Sequence, residues 1–139
     1  MQIDTGTAFD ARVERRLHDE QTIWLTVVRS DGTPEPNPVW FLWDGSTFLI
    51  YGKRDSHKLE HLARDRQVSL NFNSNVHGGN VVVFTGVATI DASAPPADQN
   101  PPYLAKYQQD IQRIGLTPES FAHAYCASIR VTPTHLRGN

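Results

Sequence analysis

Residues 23–52 read IWLTVVRSDGTPEPNPVWFLWDGSTFLIYG and contain the clearest strand and turn signals of the chain. Their β-branched and aromatic runs are interrupted twice by an Asp-Gly pair, at Asp31-Gly32 and at Asp44-Gly45. Asp-Gly pairs accept the positive φ angles of tight hairpin turns. The pattern therefore predicts three antiparallel strands, at about residues 23–29, 36–43 and 47–52.

The second of these strands contains three prolines, Pro34, Pro36 and Pro38, at or near its start. Proline has no backbone N–H, so within sheets it is confined to edges and irregular positions. We therefore expect this strand to begin irregularly or at an edge of the sheet, where unpaired backbone groups are available to a ligand.

The remainder of the chain predicts more strands and several peripheral helices. Alternation of apolar and polar residues at 67–73 indicates a half-exposed strand, and the valine-rich run at 80–91 indicates a strand buried on both faces for part of its length. Proline-rich residues 92–102 predict a surface crossing. A last strand is expected at 125–132, and helices at 8–20, 57–65, 103–114 and 118–124.

Six strands joined mainly by hairpins predict a mainly β fold, a six-stranded antiparallel split β-barrel with peripheral helices, because closure removes exposed sheet edges. The length of 139 residues with 39% hydrophobic content fits a single domain over residues 1–139.

The charge balance and the apolar runs exclude several classes of protein. Lys and Arg number 13 against 15 Asp and Glu, so no basic face for nucleic acid is expected. No apolar run has the length of a membrane span and no secretory signal is visible, so we expect a cytoplasmic protein. The single Cys126 cannot form an internal disulfide and is expected to be a small buried residue.

Residues 51–62, YGKRDSHKLEHL, contain the candidate ligand-binding motif of the sequence. Ser56 is the expected N-cap of a helix, and free amides at a helix N-terminus with nearby cations form phosphate sites. Lys58 in the first turn opposes the helix dipole unless an anion is present. The alternative is a solvated charged turn. The cations around Ser56 are Lys53, Arg54, His57 and Lys58.

Over residues 8–91 the chain resembles the pyridoxamine 5'-phosphate oxidase-like family of FMN-binding split barrels. The shared features are the proline-rich strand GTPEPNPVWF, a short strand, and then aromatic-Gly-x-x-x-Ser-x-Lys leading into an amphipathic helix. The resemblance implies that Tyr51 and Gly52 contact a flavin ring and that His57 and Lys58 contact its phosphate.

The family's second-strand motif begins with Arg and ends with Lys, whereas this chain has Asn37-Pro38-Val39-Trp40-Phe41-Leu42 in its place. Oxidation of vitamin B6 is therefore not expected. NPVWF followed by SxK is similar instead to the actinobacterial subgroup that uses the deazaflavin coenzyme F420. The cofactor-binding residues implied are Asn37, Pro38, Val39, Trp40, Tyr51, Gly52, Lys53, Ser56, His57 and Lys58.

The resemblance implies an F420H2-dependent oxidoreductase that transfers a hydride between the deazaflavin and a planar conjugated small molecule, acting as a homodimer. No catalytic side chain is assigned, and the scattered histidines lack metal-site spacing. Two alternatives remain open: an FMN-dependent oxidoreductase of the same fold, and a non-catalytic protein that binds flavin, deazaflavin or haem.

Overall fold

The computed structural model describes residue 3 and residues 6–139. Its elements in chain order are helix α1 (Ala8–Asp19), strands β1 (Ile23–Val28), β2 (Pro34–Val39), β3 (Leu42–Trp43) and β4 (Phe48–Gly52), helix α2 (His57–Arg64), strands β5 (Gln67–Asn71) and β6 (Val82–Ile90), a 3-10 turn (Ala97–Gln99), helices α3 (Pro101–Arg113) and α4 (Pro118–Ala124), and strand β7 (Ala127–Gly138).

The strands form one antiparallel sheet in the order β2-β1-β5-β6-β7-β4-β3. Its two edge strands, β2 and β3, are separated in sequence only by Trp40 and Phe41. Such a connection spans at most about 11 Å. The sheet must therefore curl until its two edges approach each other, which confirms the predicted split-barrel fold class.

The sheet has seven strands rather than the predicted six, because the strand expected at 36–43 is broken at Trp40 and Phe41. The backbone N–H of Phe41 donates to Tyr107 Oη at 2.8 Å, and its carbonyl accepts from Lys106 Nζ at 2.9 Å. Side chains of α3 thus take the hydrogen bonds that a neighbouring strand would otherwise make. The prediction that closure removes the edges is wrong in this respect: β2 and β3 remain edges of the sheet.

The proline-rich strand β2 lies at an edge, as predicted. It pairs with β1 along its whole length, and its three prolines occupy alternate positions. Alternate residues direct their N–H groups to the same side of a strand. Since the other side is paired, the missing donors face the open edge, where they prevent the addition of a further strand.

Strand β4 separates two hydrophobic cores, and all of its residues are buried. Phe48 and Ile50 pack inside the curled sheet, while Leu49 and Tyr51 pack beneath α3 and α4. The second core draws its residues from β3, β4 and the C-terminal third of the chain, with Trp40 at its rim. The expectation that residues 80–91 are buried on both faces is therefore wrong, because β6 is covered on one face only.

The last strand continues to Gly138 instead of ending near residue 132. Pro133 falls inside it at a register shift opposite Gly86. A Cβ atom on Gly86 would lie 2.5 Å from the carbonyl oxygen of Thr132, so only glycine permits this approach. The irregularity accommodates a proline that in the sequence alone would end a strand.

Cys126 is exposed where α4 leads into β7, so the prediction of a buried thiol is wrong. Among the helices of the described residues, none is both long and apolar enough to cross a membrane.

Candidate functional site

A cavity of about 380 Å³ opens between the end of β4, the N-terminus of α2 and the two C-terminal helices. Its volume is within the range of small-molecule sites. The residues lining it are Pro38, Val39, Trp40, Tyr51, Gly52, Lys53, Ser56, Lys58, Tyr103, Ile114, Phe121 and Tyr125.

Eight of the ten residues predicted to bind the cofactor line this cavity. Asn37 and His57 do not. Asn37 lies on β2 beside Pro38 but is not among the residues that line the cavity. The His57 side chain is 82% exposed, and its Nδ1 lies 3.6 Å from a carboxylate oxygen of Glu60. In this arrangement neither residue reaches a group seated in the cavity.

Four lining residues were not predicted, and all belong to the C-terminal third: Tyr103, Ile114, Phe121 and Tyr125. A sequence signal does exist for the aromatic ones. Tyr103 and Tyr107, like Phe121 and Tyr125, are four residues apart, which places each pair on one face of a helix. That spacing is the same for a face that packs in a core and for one that borders a cavity.

The aromatic side of the cavity consists of nearly parallel rings. Trp40 stacks on Tyr107 at a centroid distance of 4.9 Å and an interplanar angle of 6°, and on Phe121 at 5.5 Å and 15°. Phe121 in turn stacks on Tyr125 at 4.5 Å and 19°. Aromatic rings pack in offset-stacked and edge-to-face arrangements, so these rings give the cavity an aromatic wall.

The part of the cavity formed by the start of α2 carries an unpartnered polar atom. Ser56 occupies the N-cap position as predicted, but its side chain makes no capping hydrogen bond. Ser56 Oγ is buried and has no hydrogen-bond partner within the part of the chain that the structure describes. Buried polar groups in proteins are normally hydrogen-bonded, so an unpartnered hydroxyl at this position indicates a place where a ligand could supply the partner.

Lys58 is half-buried beside Ser56. Burial lowers the pKa of Lys58, and the negative charge of Glu35 opposes this effect only in part. Within the described residues, neither Lys53 nor Lys58 forms an ion pair. A half-buried ammonium group without a bonded carboxylate favours the binding of an anion.

Glu35, which the sequence did not single out, limits the positive charge at this end of the cavity. Its Oε2 lies 3.3 Å from Nε2 of His61 on α2. Both histidines of α2 thus face carboxylates, His57 through Glu60 and His61 through Glu35. The cations left for a ligand in the cavity are the two lysines that line it.

Two of the three tyrosines that line the cavity, Tyr51 and Tyr103, differ in how their hydroxyl groups are hydrogen-bonded. Tyr51 Oη donates to the carbonyl oxygen of Pro95 at 2.7 Å and accepts from Asn100 Nδ2 at 3.0 Å. Tyr103 is completely buried, and its hydroxyl has no partner among the described residues. Burial raises the pKa of both phenols, so both are neutral at physiological pH.

The curled antiparallel sheet, with a cavity at the N-terminus of the helix after β4, defines a split-barrel protein. The family model of pyridoxamine 5'-phosphate oxidase matches residues 9–138, so the chain belongs to this family. No curated protein matches the chain by sequence.

Solved structures share this fold at low sequence identity. A conserved hypothetical protein from Mycobacterium tuberculosis is 19% identical, with a TM-score of 0.74 and coverage of 99% of this chain and 88% of that one. An F420 reductase is 21% identical, with a TM-score of 0.65 and coverage of 89% and 94%. A haem-storage protein from Vibrio cholerae is 13% identical, with a TM-score of 0.63 and coverage of 99% and 95%.

Proposed function

We propose that this protein is an F420H2-dependent oxidoreductase that transfers a hydride between the deazaflavin and a planar conjugated small molecule. One observation carries the proposal. A single cavity is lined both by an aromatic wall, formed by Trp40, Phe121 and Tyr125, and by an unpartnered buried hydroxyl and a half-buried lysine without an ion pair. This combination suits a ligand with a flat ring at one end and a phosphate at the other.

The polar end of the cavity fits a singly charged phosphate better than a doubly charged one. Ser56 Oγ, the free amides of the first turn of α2 and the ammonium group of Lys58 would hold it. Lys53 supplies a second, exposed cation at the rim. F420 has a phosphodiester with one negative charge, whereas FMN has a terminal phosphate with two. The small number of cations therefore favours the deazaflavin.

A second groove, of about 440 Å³, adjoins the cavity at Lys53. It is lined by Lys53, Arg54 and His123 among others. F420 continues beyond its phosphate into a lactate and glutamates, which carry further negative charge. Arg54, exposed beside the cavity, is the residue we propose for that tail.

The roles of the protein in the reaction are binding, orientation and exclusion of water. When bound, reduced deazaflavin supplies a hydride from carbon 5 of its ring. Trp40, Phe121 and Tyr125 form an aromatic wall against which the ring would pack, and Pro38 and Val39 close the side formed by the end of β2. Half-exposed Ile114 lies at the open rim, where a conjugated substrate would approach the ring.

The proposed activity is tested by mixing the protein anaerobically with reduced F420 and a quinone such as menadione, and following the return of the deazaflavin absorbance. The wild type should oxidise reduced F420 catalytically. Lys58→Ala should require more cofactor for the same rate, while Arg66→Ala, which removes an exposed cation outside the cavity, should behave as wild type. Binding of F420 without turnover on a panel of quinones and enones would instead indicate a carrier.

We also propose that the protein is a homodimer. The prolines of β2 prevent a second copy from adding to that edge, and β3, the other edge, has only two residues, so we expect association through a face of the molecule. Ile114 at the cavity rim is 49% exposed, and Ile90, in a third groove that shares Tyr51 and Tyr125 with the cavity, is 54% exposed, which favours this side as the contact. Light scattering at micromolar concentration should give twice the monomer mass; a monomeric mass would contradict the proposal.

A further inference from the structure

The hydroxyl of Tyr103 makes no hydrogen bond within the described part of the chain. Tyr103 lies in the first turn of α3, is 0% exposed and borders the cavity. Its ring packs edge-on against Tyr51 at 4.8 Å, and against Tyr107 and Phe121 at 4.8 and 6.0 Å. None of these neighbours supplies a partner to its hydroxyl.

The neighbouring tyrosines show what a structural hydroxyl looks like in this cluster. Tyr107 Oη donates to the carbonyl oxygen of Gln21 at 2.7 Å and accepts from the N–H of Phe41 at 2.8 Å. Tyr51 Oη is equally satisfied by Pro95 and Asn100. A phenylalanine at position 103 would fill the same space and bury no unpaired polar atom, so folding alone does not account for a tyrosine there.

We infer that the Tyr103 hydroxyl donates a hydrogen bond to a planar conjugated ligand in the cavity, through a neutral acceptor such as a ring carbonyl oxygen. The inference rests on the proposed function, because it requires a flat ring against the aromatic wall. Since burial raises the pKa of Tyr103, the phenol keeps its proton and acts as a donor. The acceptor belongs either to the cofactor ring or to the substrate seated on it.

The test compares Tyr103→Phe with Tyr107→Phe, two substitutions that remove the same atom from adjacent buried rings. Without ligand, Tyr103→Phe should melt at or above the temperature of the wild type. Tyr107→Phe should melt several degrees lower, because it leaves the backbone N–H of Phe41 without a hydrogen-bond partner. Tyr103→Phe should bind F420 roughly three- to tenfold more weakly if the acceptor is on the cofactor. If the acceptor is on the substrate, F420 binding is unchanged and the KM for menadione rises by a similar factor.

Two results would overturn the inference. A fall in melting temperature for Tyr103→Phe like that of Tyr107→Phe would show that the hydroxyl has a structural role. Unchanged F420 affinity together with unchanged KM would show that no ligand uses it. Failure of the proposed function is distinguishable, because it appears already in the wild type as an absence of F420 binding, and the inference would then fall with it.

Discussion

Asn100 donates a 3.0 Å hydrogen bond from Nδ2 to Tyr51 Oη, and this contact joins the end of β4 to the start of α3. The same side chain caps α3, since its Oδ1 accepts from the backbone N–H of Tyr103 at 3.3 Å. Asn100 is 6% exposed. One buried amide therefore fixes the positions of Tyr51 and Tyr103, two of the three tyrosines that line the cavity.

Replacing Asn100 should destabilise the protein through two separable losses. Asn100→Ala removes both the cap and the bond to Tyr51 and should lower the free energy of unfolding by about 1 to 3 kcal/mol. Asn100→Ser keeps a capping oxygen but is too short to reach Tyr51, so its effect should be smaller by about 1 kcal/mol. Urea denaturation measures both variants. Equal losses in the two would show that the cap contributes nothing.

Lys58→Ala should weaken F420 binding by about 1.5 to 3 kcal/mol, the range for a hydrogen bond to a charged group. The affinity should also depend on pH. Because burial lowers the pKa of Lys58, the charged form is lost as pH rises, beginning below the ordinary value of 10.5. Wild-type affinity should therefore decline on the alkaline side, while Lys58→Arg should retain it. If the F420 affinity of the wild type and that of Lys58→Arg changed with pH in the same way, this role for Lys58 would be contradicted.

Ser56→Ala should leave the stability of the protein without ligand almost unchanged, because the Ser56 side chain makes no capping hydrogen bond. Thr117, the N-cap of α4, is the matched control, since its Oγ1 accepts from the N–H of Ser120 at 3.1 Å. Thr117→Ala should cost about 1 kcal/mol of unfolding free energy. F420 affinity should fall in Ser56→Ala only. A stability loss at Ser56 equal to that at Thr117 would argue for a cap and against a ligand site.

Lowering the pH should reduce the free energy of unfolding, in part because Asp91 becomes protonated. Hydrogen bonds from Ser93 and from Arg130, the latter at 2.7 Å from Arg130 Nε, lower the pKa of Asp91 to about 2. A carboxyl group whose pKa is depressed on folding stabilises the protein above its unfolded pKa near 3.8, and that contribution is lost as pH falls towards 2. The unfolding free energy of Asp91→Asn should therefore fall less steeply than that of the wild type between pH 4 and pH 2 in urea titrations. Identical slopes of unfolding free energy against pH in the two proteins would show that Asp91 does not contribute to the pH dependence of stability.

The sequence predicted most of the fold because its signals are local. Asp-Gly turns, alternation along β5 and helical spacing around Leu59 and Leu62 each act over a few residues. The strand break at Phe41 was not predictable, because the groups that cause it, on Lys106 and Tyr107, lie more than 60 residues further along the chain. The continuation of β7 through Pro133 depends in the same way on Gly86 in another strand.

The part of the candidate site that belongs to a local sequence motif was predictable. The part that is formed by packing of the C-terminal helices was not. The residues from Tyr51 to Lys58 form one local motif, and most of them line the cavity. His57 belongs to that motif but faces solvent, since the motif gives the residue type and not its direction on the helix. Tyr103, Phe121 and Tyr125 have the spacing of ordinary core residues. Only the three-dimensional structure distinguishes a face that borders a cavity from one that is fully packed.

The central claim is that the cavity at the N-terminus of α2 binds a deazaflavin in preference to a flavin. Its most direct test is a titration of the purified protein with F420 and with FMN, followed by competition of the two in one solution and detected by fluorescence. We predict quenching of the deazaflavin fluorescence at concentrations where FMN fluorescence is unchanged, with F420 bound at least tenfold more tightly, about 1.4 kcal/mol. Protein that purifies with stoichiometric FMN, or that binds FMN more tightly in competition, would contradict the deazaflavin assignment.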